Sequence, residues 1–519
     1  MRLAALPSAW RWPVVILWSL AVIALAAQAV VYCHYAWALF CFPFDYDQGE
    51  GFELYDTFLH VQGQWPYRDS QVFPFYTSIY PPLFHLLVAP LVWVFGPHLW
   101  TGRVVGFLAS LIVAAAIGWG VQRDGQNRLI ALVAALLFLA SNYTFHIGPL
   151  FRQHMTMVMF ETLAVVSLAQ LDRRGGAERP WRRSWPFWLG MLALLAAGYT
   201  KQMAVTTVLA AMAFLFLRGP RRAVVSGLAL AAVAAGLFGL INHLTGGWWY
   251  TSIIAANINA YSLDQALAFY RQWGELHLII IGAAIACGIY EIYWGRISIY
   301  TLWFIFAVAG GALAGKVGAG ESYFVTATAA ACLVGGRGVA RLWAHPRLAQ
   351  VPWAVVVALG IPALCLVQTR LTLHLYTDGP IYGALARLLG VSAESGYYDS
   401  QGYTQLGPRP TAADVAAGWT IVQMAQAAPG PVFSEEAAFM FHAGKPVVTN
   451  PFPQKVMYEA GLFDPAQEIA LINAKVFGLV ILRAQFYPPP VLMALGANYQ
   501  PRADIPMNGF IYRILEPRP

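Results

Sequence analysis

Apolar runs close to the length of a membrane-spanning helix recur through the first 370 residues, and they constrain the fold more than any other feature. About 20 apolar residues are needed for a helix to cross a bilayer. The chain is 59% hydrophobic and 11% charged, which is typical of a polytopic membrane protein and excludes an ordinary soluble enzyme. We therefore predict about 11 spanning helices. They lie near residues 13–32, 99–121, 129–145, 150–170, 187–200, 202–217, 223–243, 276–293, 297–315, 321–336 and 351–369, with 82–96 re-entrant or along the interface.

Arginine clusters between these runs predict the orientation. Short cytoplasmic loops collect Lys and Arg, and alternate loops of this chain are Arg-rich: QRDGQNR, LDRRGGAERPWRRSWP, RGPRR, WGR and GGRGVARLWAHPR. One orientation places all of these loops in the cytoplasm. In it the N-terminus is also cytoplasmic and the remaining loops lie on the outer face. The net charge of +7 arises from these clusters. The basic residues form no continuous stripe, so we predict no nucleic-acid partner.

The composition changes after Arg370, which divides the chain into two predicted domains, 1–370 and 371–519. Short β-prone runs (GPVFSE, KPVVTN, VFGLVILR, GFIYRIL) alternate with helical stretches (AADVAAGWTIVQMAQ, PAQEIALINAK). The second domain is predicted to be a small α/β domain with an accessory role, because its residues form no convincing catalytic set. With an odd number of helices before it, it lies on the outer face.

The predicted first outer loop, residues 33–97, is long enough to hold helices and a site, and it contains DYDQGEG. Asp47 and Glu50 are three residues apart, so in a helix both carboxylates project from one face, where they can share a proton, a metal or an acceptor hydroxyl. Asp45 is a near neighbour. A solvated acidic loop with no site is the alternative.

Lys201 and Lys316 are the only lysines in the first 370 residues. The predicted topology puts both at the outer ends of helices, in the layer that holds the acids. Either lysine alone can be explained by a side chain that reaches the headgroups. Together with the carboxylates they indicate a site for an anionic, lipid-linked headgroup, since an ammonium binds phosphate as a point charge.

The motifs DYDQGEG, GQWPY, YPPLF…VFGPHLWTGR, YTKQ, NINAYS and GKVGAGESYF, followed by an outer α/β tail, resemble bacterial GT-C membrane glycosyltransferases. The similar group is the one related to protein O-mannosyltransferases and aminoarabinose transferases. The resemblance covers roughly residues 13–335. It implies a multi-pass protein of the bacterial cytoplasmic membrane that moves a sugar, with inversion, from a polyprenyl phosphate to a glycan, lipid or protein acceptor at the outer face.

The resemblance also implies residue roles. Asp47 and Glu50 become the catalytic carboxylates, with Asp45 as a third candidate. Candidates for binding the donor phosphate are Lys316, Arg103, Lys201 and Arg152, and candidates for binding substrate are Tyr80, Tyr323, Asn257 and His154. In FRQHMTM, His154 replaces an acid of the related chains, which changes the local charge. Glu161, deeper in the same helix, is expected to face the bundle interior and to pair with a hydroxyl or amide, because a charge in lipid is costly.

No residue pattern requires a cofactor, although a divalent metal is compatible with the GT-C resemblance. A transporter or lipid flippase is the rival prediction, since it also combines many helices with charges near the membrane. The chain has no internal repeat and no paired broken helices in its sequence, which favours the enzyme.

Overall fold

The computed structural model describes residues 7–172, 184–345, 353–373, 379–390 and 409–519. The helices up to residue 371 are α1 (Ser8–Cys41), α2 (Glu50–Val61), α3 (Leu83–Phe95), α4 (Trp100–Gly125), α5 (Arg128–Leu139), α6 (Asn142–Ile147), α7 (His154–Leu168), α8 (Trp185–Thr200), α9 (Val205–Arg218), α10 (Pro220–Leu244), α11 (Trp248–Ile253), α12 (Leu263–Leu276), α13 (Leu278–Tyr293), α14 (Ile299–Gly310), α15 (Val325–Ala344) and α16 (Trp353–Leu371). Those of the tail are α17 (Pro380–Leu389), α18 (Ala412–Ala427), α19 (Ala438–Ala443), α20 (Pro451–Glu459), α21 (Ala466–Asn473) and α22 (Pro489–Asn498).

Each of the 11 predicted apolar runs contains a helix, but these helices differ in length. By length and composition, six helices of the described residues can cross a membrane, or seven if the bent pair α12 and α13 counts as one span. A helix such as α5, with 12 residues, is too short to cross alone. The predicted run 129–145 is divided between α5 and α6. Hydropathy therefore located the helices, and several of them are apolar helices shorter than a full span, such as Gln202–Arg218 and Ile299–Gly315.

The first helix is longer than its apolar run predicts. α1 has 34 residues and is about 51 Å long at 1.5 Å per residue, so it extends beyond a hydrocarbon core of about 30 Å. The helix continues to Cys41, so the first loop begins there instead of at residue 33. Near this end Tyr35 contacts Tyr46 of the loop, with ring centroids 6.1 Å apart. The loop contains α2 and α3, as its length predicts.

The glycines of DQGEG are required by the backbone and by close packing. Gly49 ends the loop before α2 with φ of +94°, which is strained for other residues. A Cβ on Gly51 would lie 2.5 Å from the backbone nitrogen of Ala438 and 2.9 Å from the Asp45 carboxylate. These two positions allow the start of α2 to lie directly against the tail domain.

The connections predicted to be cytoplasmic meet one another at one end of the helix bundle. Glu291, in the last turn of α13, accepts hydrogen bonds from Arg337 (3.0 Å) and Arg341 (2.8 Å), both on α15. Arg337 also pairs with Asp124 at the end of α4. The Arg-rich segments 173–183 and 346–352 lie outside the described residues. The described Arg-rich connections thus share one end of the bundle, as the orientation prediction requires.

The tail contains a four-stranded mixed sheet with strand order β1-β2-β4-β3. Its strands are β1 (Val432–Ser434), β2 (Leu479–Leu482), β3 (Tyr499–Met507) and β4 (Phe510–Pro517). β1 and β2 are parallel, and the other two pairs are antiparallel. Three of the predicted β-prone runs contain strands. The fourth, KPVVTN, instead forms an isolated bridge with the first loop, between Phe75 and Thr449.

The tail domain docks on the first outer loop through several buried hydrogen bonds. Asn450 donates to the Thr77 carbonyl (3.1 Å) and Gln454 donates to the Phe75 carbonyl (3.1 Å). Arg483 and Asn508 both donate to the Tyr46 carbonyl. The bundle, the first loop and the tail are therefore joined around residues 45–80.

Candidate functional site

A cavity of about 220 Å³ lies where the first loop, the outer ends of the bundle and the tail meet. Acidic and basic side chains face each other across it. Its polar and aromatic lining residues include Asp47, Gln48, Glu53, Asp56, Ser78, Tyr80, Arg152, His154, Lys201, Glu321, Tyr323, Asn450 and Phe452.

Arg152 connects the acids of this cavity. Its Nε donates to Asp47 Oδ2 at 2.7 Å and its Nη1 donates to Glu53 Oε1 at 3.1 Å, while Nη2 donates to the Gln48 carbonyl. Burial alone would lower the pKa of Arg152, but Asp47 and Glu53 hold it above its ordinary value. Because three of its five N–H donors are used, two remain for another ligand. Arg152 and Asp47 are each 16% exposed, so both can be reached from the cavity.

Lys201 lies opposite this group, in the connection after α8. Its ammonium contacts His154 Nε2 and lies over the rings of Tyr80 (5.1 Å) and Tyr323 (5.5 Å). Burial lowers the pKa of Lys201 to about 7, although the Glu53 carboxylate acts in the opposite direction. The ammonium is thus desolvated in an aromatic enclosure, where a bound anion would favour its charged form.

Glu50 is not part of this cavity, and the expectation that it shares a helix face with Asp47 is wrong because α2 begins at Glu50. Its carboxylate forms a fully buried bidentate pair with Arg103 (2.9 and 2.7 Å) and also accepts from the backbone N–H groups of Phe151, Tyr46 and Asp47. Burial alone would raise the pKa of Glu50, but Arg103 holds it below its ordinary value. Glu50 is therefore a structural anchor of the first loop.

Arg103 does not face the cavity either. Besides its bonds to Glu50, it donates to the carbonyls of Leu39 (2.6 Å), Phe42 (2.6 Å) and Phe44 (2.8 Å). All five N–H donors of the guanidinium are thereby used, and none remains for a phosphate. The sequence interpretation of Arg103 as a phosphate ligand is corrected accordingly.

Asp45 is fully buried between the first loop and the tail. It accepts from the backbone N–H of Gly51 (2.5 Å) and of Ala438 (3.3 Å). Burial raises the pKa of Asp45 to about 6. It holds the tail against α2 and does not line the cavity.

Lys316 and Asn257 line a second cavity that adjoins the first. Lys316 Nζ donates to the Asn257 carbonyl at 2.7 Å. The two cavities share wall residues, among them Tyr80, Lys201 and Tyr323. The structure thus brings Lys201, Tyr80, Tyr323, Arg152 and His154 around the first cavity, with Lys316 and Asn257 next to it.

A third, apolar cavity continues this series towards the membrane. It lies between α8, α9, α10 and α11, and shares Gln202, Ile253 and Ile254 with the second cavity. Leu194, Phe238 and Trp249 are among its apolar walls. A polar pocket is therefore linked by adjoining cavities to an apolar groove at the level of the spanning helices.

Sequence reasoning missed Glu53, Asp56 and Glu321, which all line the first cavity. Burial raises the pKa of Glu53 to about 7 and that of Asp56 to about 8. Glu53 and Asp56 are three residues apart on α2, so the spacing rule applied to Asp47 and Glu50 would have found them if the helix start had been known. The contribution of Asn450 and Phe452 from the tail left no comparable signal in the sequence.

The prediction for Glu161 is confirmed. Its carboxylate is buried in the bundle and accepts from the hydroxyls of Thr207 (2.7 Å) and Thr326 (2.6 Å). It lies apart from the lining of the first cavity and is satisfied by its two hydroxyl partners.

Among solved structures, ArnT of Cupriavidus metallidurans bound to undecaprenyl phosphate matches with a TM-score of 0.57 and 14% identity, covering 95% of this chain and 97% of that one. The chain has the GT-C fold. The apo form of the same ArnT gives a TM-score of 0.56 and 16% identity, again covering 95% and 97%. The apo oligosaccharyltransferase of Archaeoglobus fulgidus gives 0.50 and 12% identity, covering 92% of this chain and 73% of that one. The predicted fold is confirmed.

A family model also matches part of the chain. The model describes dolichyl-phosphate-mannose-protein mannosyltransferases and aligns with residues 74–241. This segment includes Tyr80, Arg152, His154 and Lys201 of the cavity wall. No curated protein matches the sequence. The GT-C fold and the mannosyltransferase match agree with the prediction of a membrane glycosyltransferase.

Proposed function

We propose that the protein is a membrane glycosyltransferase that moves a sugar from a polyprenyl-phosphate carrier to an acceptor at the outer face of a bacterial cytoplasmic membrane. The observation that carries the proposal is the series of adjoining cavities, from a pocket with paired acids and cations to an apolar groove between α8 and α10. A polyprenyl-phosphate sugar has the same order of groups along its length: a polar sugar, a charged phosphate and a long apolar isoprenoid chain. The ArnT structure with undecaprenyl phosphate supports a carrier of this class.

In this proposal the cations bind the phosphodiester of the donor. Arg152 offers two free N–H donors and Lys201 offers a desolvated ammonium. Both would stabilise the phosphate more as it gains negative charge during departure, which lowers the barrier of the chemical step. Lys316 lies in the adjoining cavity and would contribute to binding rather than to the departure.

Asp47 is the proposed general base. It is the partly exposed carboxylate beside Arg152, and the ion pair keeps it in place. The acceptor hydroxyl attacks the anomeric carbon, the bond from that carbon to the phosphate oxygen breaks, and the hydroxyl proton passes to Asp47. The configuration at the anomeric carbon inverts because the two bonds lie on opposite faces of the sugar.

The transporter or flippase alternative would use the same cavities without breaking a bond. Purified protein in proteoliposomes, supplied with a polyprenyl-phosphate sugar and an envelope glycan or lipid acceptor, distinguishes the two. The enzyme releases free polyprenyl phosphate, whereas a flippase only moves the intact donor between leaflets. Transbilayer movement without release would refute the proposal.

A further inference from the structure

Behind the wall of the first cavity, His85 faces two carboxylates of α2. His85 Nε2 lies 3.4 Å from Glu53 Oε2 and 3.7 Å from Asp56 Oδ2. His85 is fully buried, and Glu53 and Asp56 are each 3% exposed. A histidine from α3 thus meets a Glu-x-x-Asp pair from α2.

The hydrogen bonds around His85 assign its tautomer. The Thr57 hydroxyl donates to the Glu53 carbonyl (2.9 Å), so its oxygen accepts at its other contact, which is His85 Nδ1 at 3.1 Å. Nδ1 therefore carries the proton, and Nε2 presents a lone pair towards the carboxylates. This is the arrangement of a metal-binding histidine whose second nitrogen is held by an outer partner.

Two atoms of this group have no partner among the described residues. Neither His85 Nε2 nor Glu53 Oε2 makes a hydrogen bond, although both are buried and 3.4 Å apart. A lone pair facing two carboxylates is unfavourable unless a cation or a proton lies between them. The unpartnered atoms point to a ligand at this position.

The distances fit a metal ion. Metal–ligand bonds of about 2.0–2.1 Å in tetrahedral geometry place neighbouring ligand atoms roughly 3.4 Å apart, close to the observed 3.4 and 3.7 Å. One ligand atom from each of the three residues lies within 4.8 Å of the others. Asp56 is also held in place by the hydroxyls of Tyr76 (2.7 Å) and Ser78 (2.5 Å).

We infer that Glu53, Asp56 and His85 bind one divalent cation of the zinc or manganese class. An imidazole and two carboxylates suit these ions better than Mg²⁺, which prefers oxygen ligands and water. Glu53 and Asp56 line the first cavity and His85 does not, so the proposed site lies at the wall of this cavity. The inference does not depend on the proposed function, since metal content alone tests it.

The test uses the full-length protein in detergent, stripped with EDTA and then equilibrated with Zn²⁺, Mn²⁺ or Mg²⁺ in separate dialyses. Bound metal is measured by mass spectrometry. We expect one zinc per chain in the wild type and in the control His98→Gln, which changes an exposed histidine of the same loop. His85→Gln should lose this zinc, and Mg²⁺ should bind far more weakly than Zn²⁺.

Thr57→Val provides a second test that keeps all three ligands. It removes the hydrogen bond to His85 Nδ1 together with the bond from Thr57 to the Glu53 carbonyl. Loss of such an outer partner typically lowers metal affinity about 10–100-fold. It also covers the case in which His85→Gln does not fold. A wild type that binds no zinc, or a folded His85→Gln or Thr57→Val protein that binds it as tightly as wild type, would overturn the inference.

Discussion

At the residue scale, hydrogen-bond partners distinguish three neighbouring acids that look equivalent in the sequence. The sequence groups Asp45, Asp47 and Glu50 as equivalent candidates. In the structure Glu50 accepts from Arg103 and three backbone N–H groups, and Asp45 accepts from two more. Only Asp47 reaches the cavity. The sequence could predict an acidic site, but it could not show which carboxylates were already saturated.

Glu50→Gln and Asp47→Asn should therefore have opposite effects. Breaking a buried ion pair while its partner stays buried costs about 3–5 kcal/mol, so Glu50→Gln should lower the thermal unfolding midpoint markedly. Asp47→Asn should leave the midpoint near wild type and lower turnover by about 10²–10⁴-fold, the usual effect of losing a general base. Thermal unfolding and polyprenyl phosphate release, measured on both variants, check this. A stable, fully active Glu50→Gln protein with an unfolded Asp47→Asn protein would reverse the assignment.

At the element scale, the helices were more predictable than the strands. Apolar runs located the spanning helices because hydrophobic length is a direct physical requirement of the bilayer. β3 was missed because YQPRADIPM is largely polar and contains two prolines, which are uncommon within strands. It lies at the edge of the sheet and pairs only with β4, where prolines are tolerated.

The contact between the tail and the first loop contains a buried carboxyl group, that of Glu468. Burial raises the pKa of Glu468 to about 8, and its Oε1 accepts from Gln454, which also donates to Phe75. The nearby Tyr487 stays neutral because its pKa is well above 10. Since the folded pKa is raised, Glu468 favours the folded state below its unfolded pKa of about 4.3 and loses this contribution as pH rises towards 8.

Glu468→Gln should therefore stabilise the protein relative to wild type by an amount that grows between pH 5 and pH 8. Thermal unfolding across this range measures it, with the exposed Glu459→Gln as the matched control. A difference from wild type that does not change with pH, or that decreases as pH rises, would show that Glu468 is ionised in the folded state.

At the scale of the whole molecule, the tail forms part of the wall of the first cavity. The sequence indicated a separate accessory domain, but Asn450, Phe452 and Phe486 of the tail line the first cavity together with Asp47 and Arg152. Removing the tail would open the first cavity, the proposed donor site, so we expect a truncated chain to lose donor binding as well as acceptor use. This could not be read from the sequence, because domain docking depends on contacts between residues nearly 400 positions apart, such as Asp45 and Ala438.

The orientation is tested by single cysteines at exposed positions on the two sides of the bundle. Gln64 lies in the first loop and Arg296 in an Arg-rich connection, and both are exposed. The exposed Cys33 and Cys41 are first replaced by serine. In intact cells a membrane-impermeant maleimide should label Gln64→Cys, while Arg296→Cys should react only after permeabilisation. Labelling of both from the same side would invalidate the topology and, with it, the outer position of the cavity.

The central claim is that the first cavity holds a polyprenyl-phosphate sugar, and the lipid bound to a slowed variant tests it most directly. Asp47→Asn should trap the donor, because it keeps Arg152 and Lys201 but lacks the proposed base. Mass spectrometry of lipid extracted from the purified variant should identify an intact polyprenyl-phosphate sugar at about one per chain. The same measurement on Asp47→Asn combined with Lys201→Gln should find much less. If both proteins carry the same membrane phospholipids and neither carries a phosphate-linked sugar, the account is contradicted.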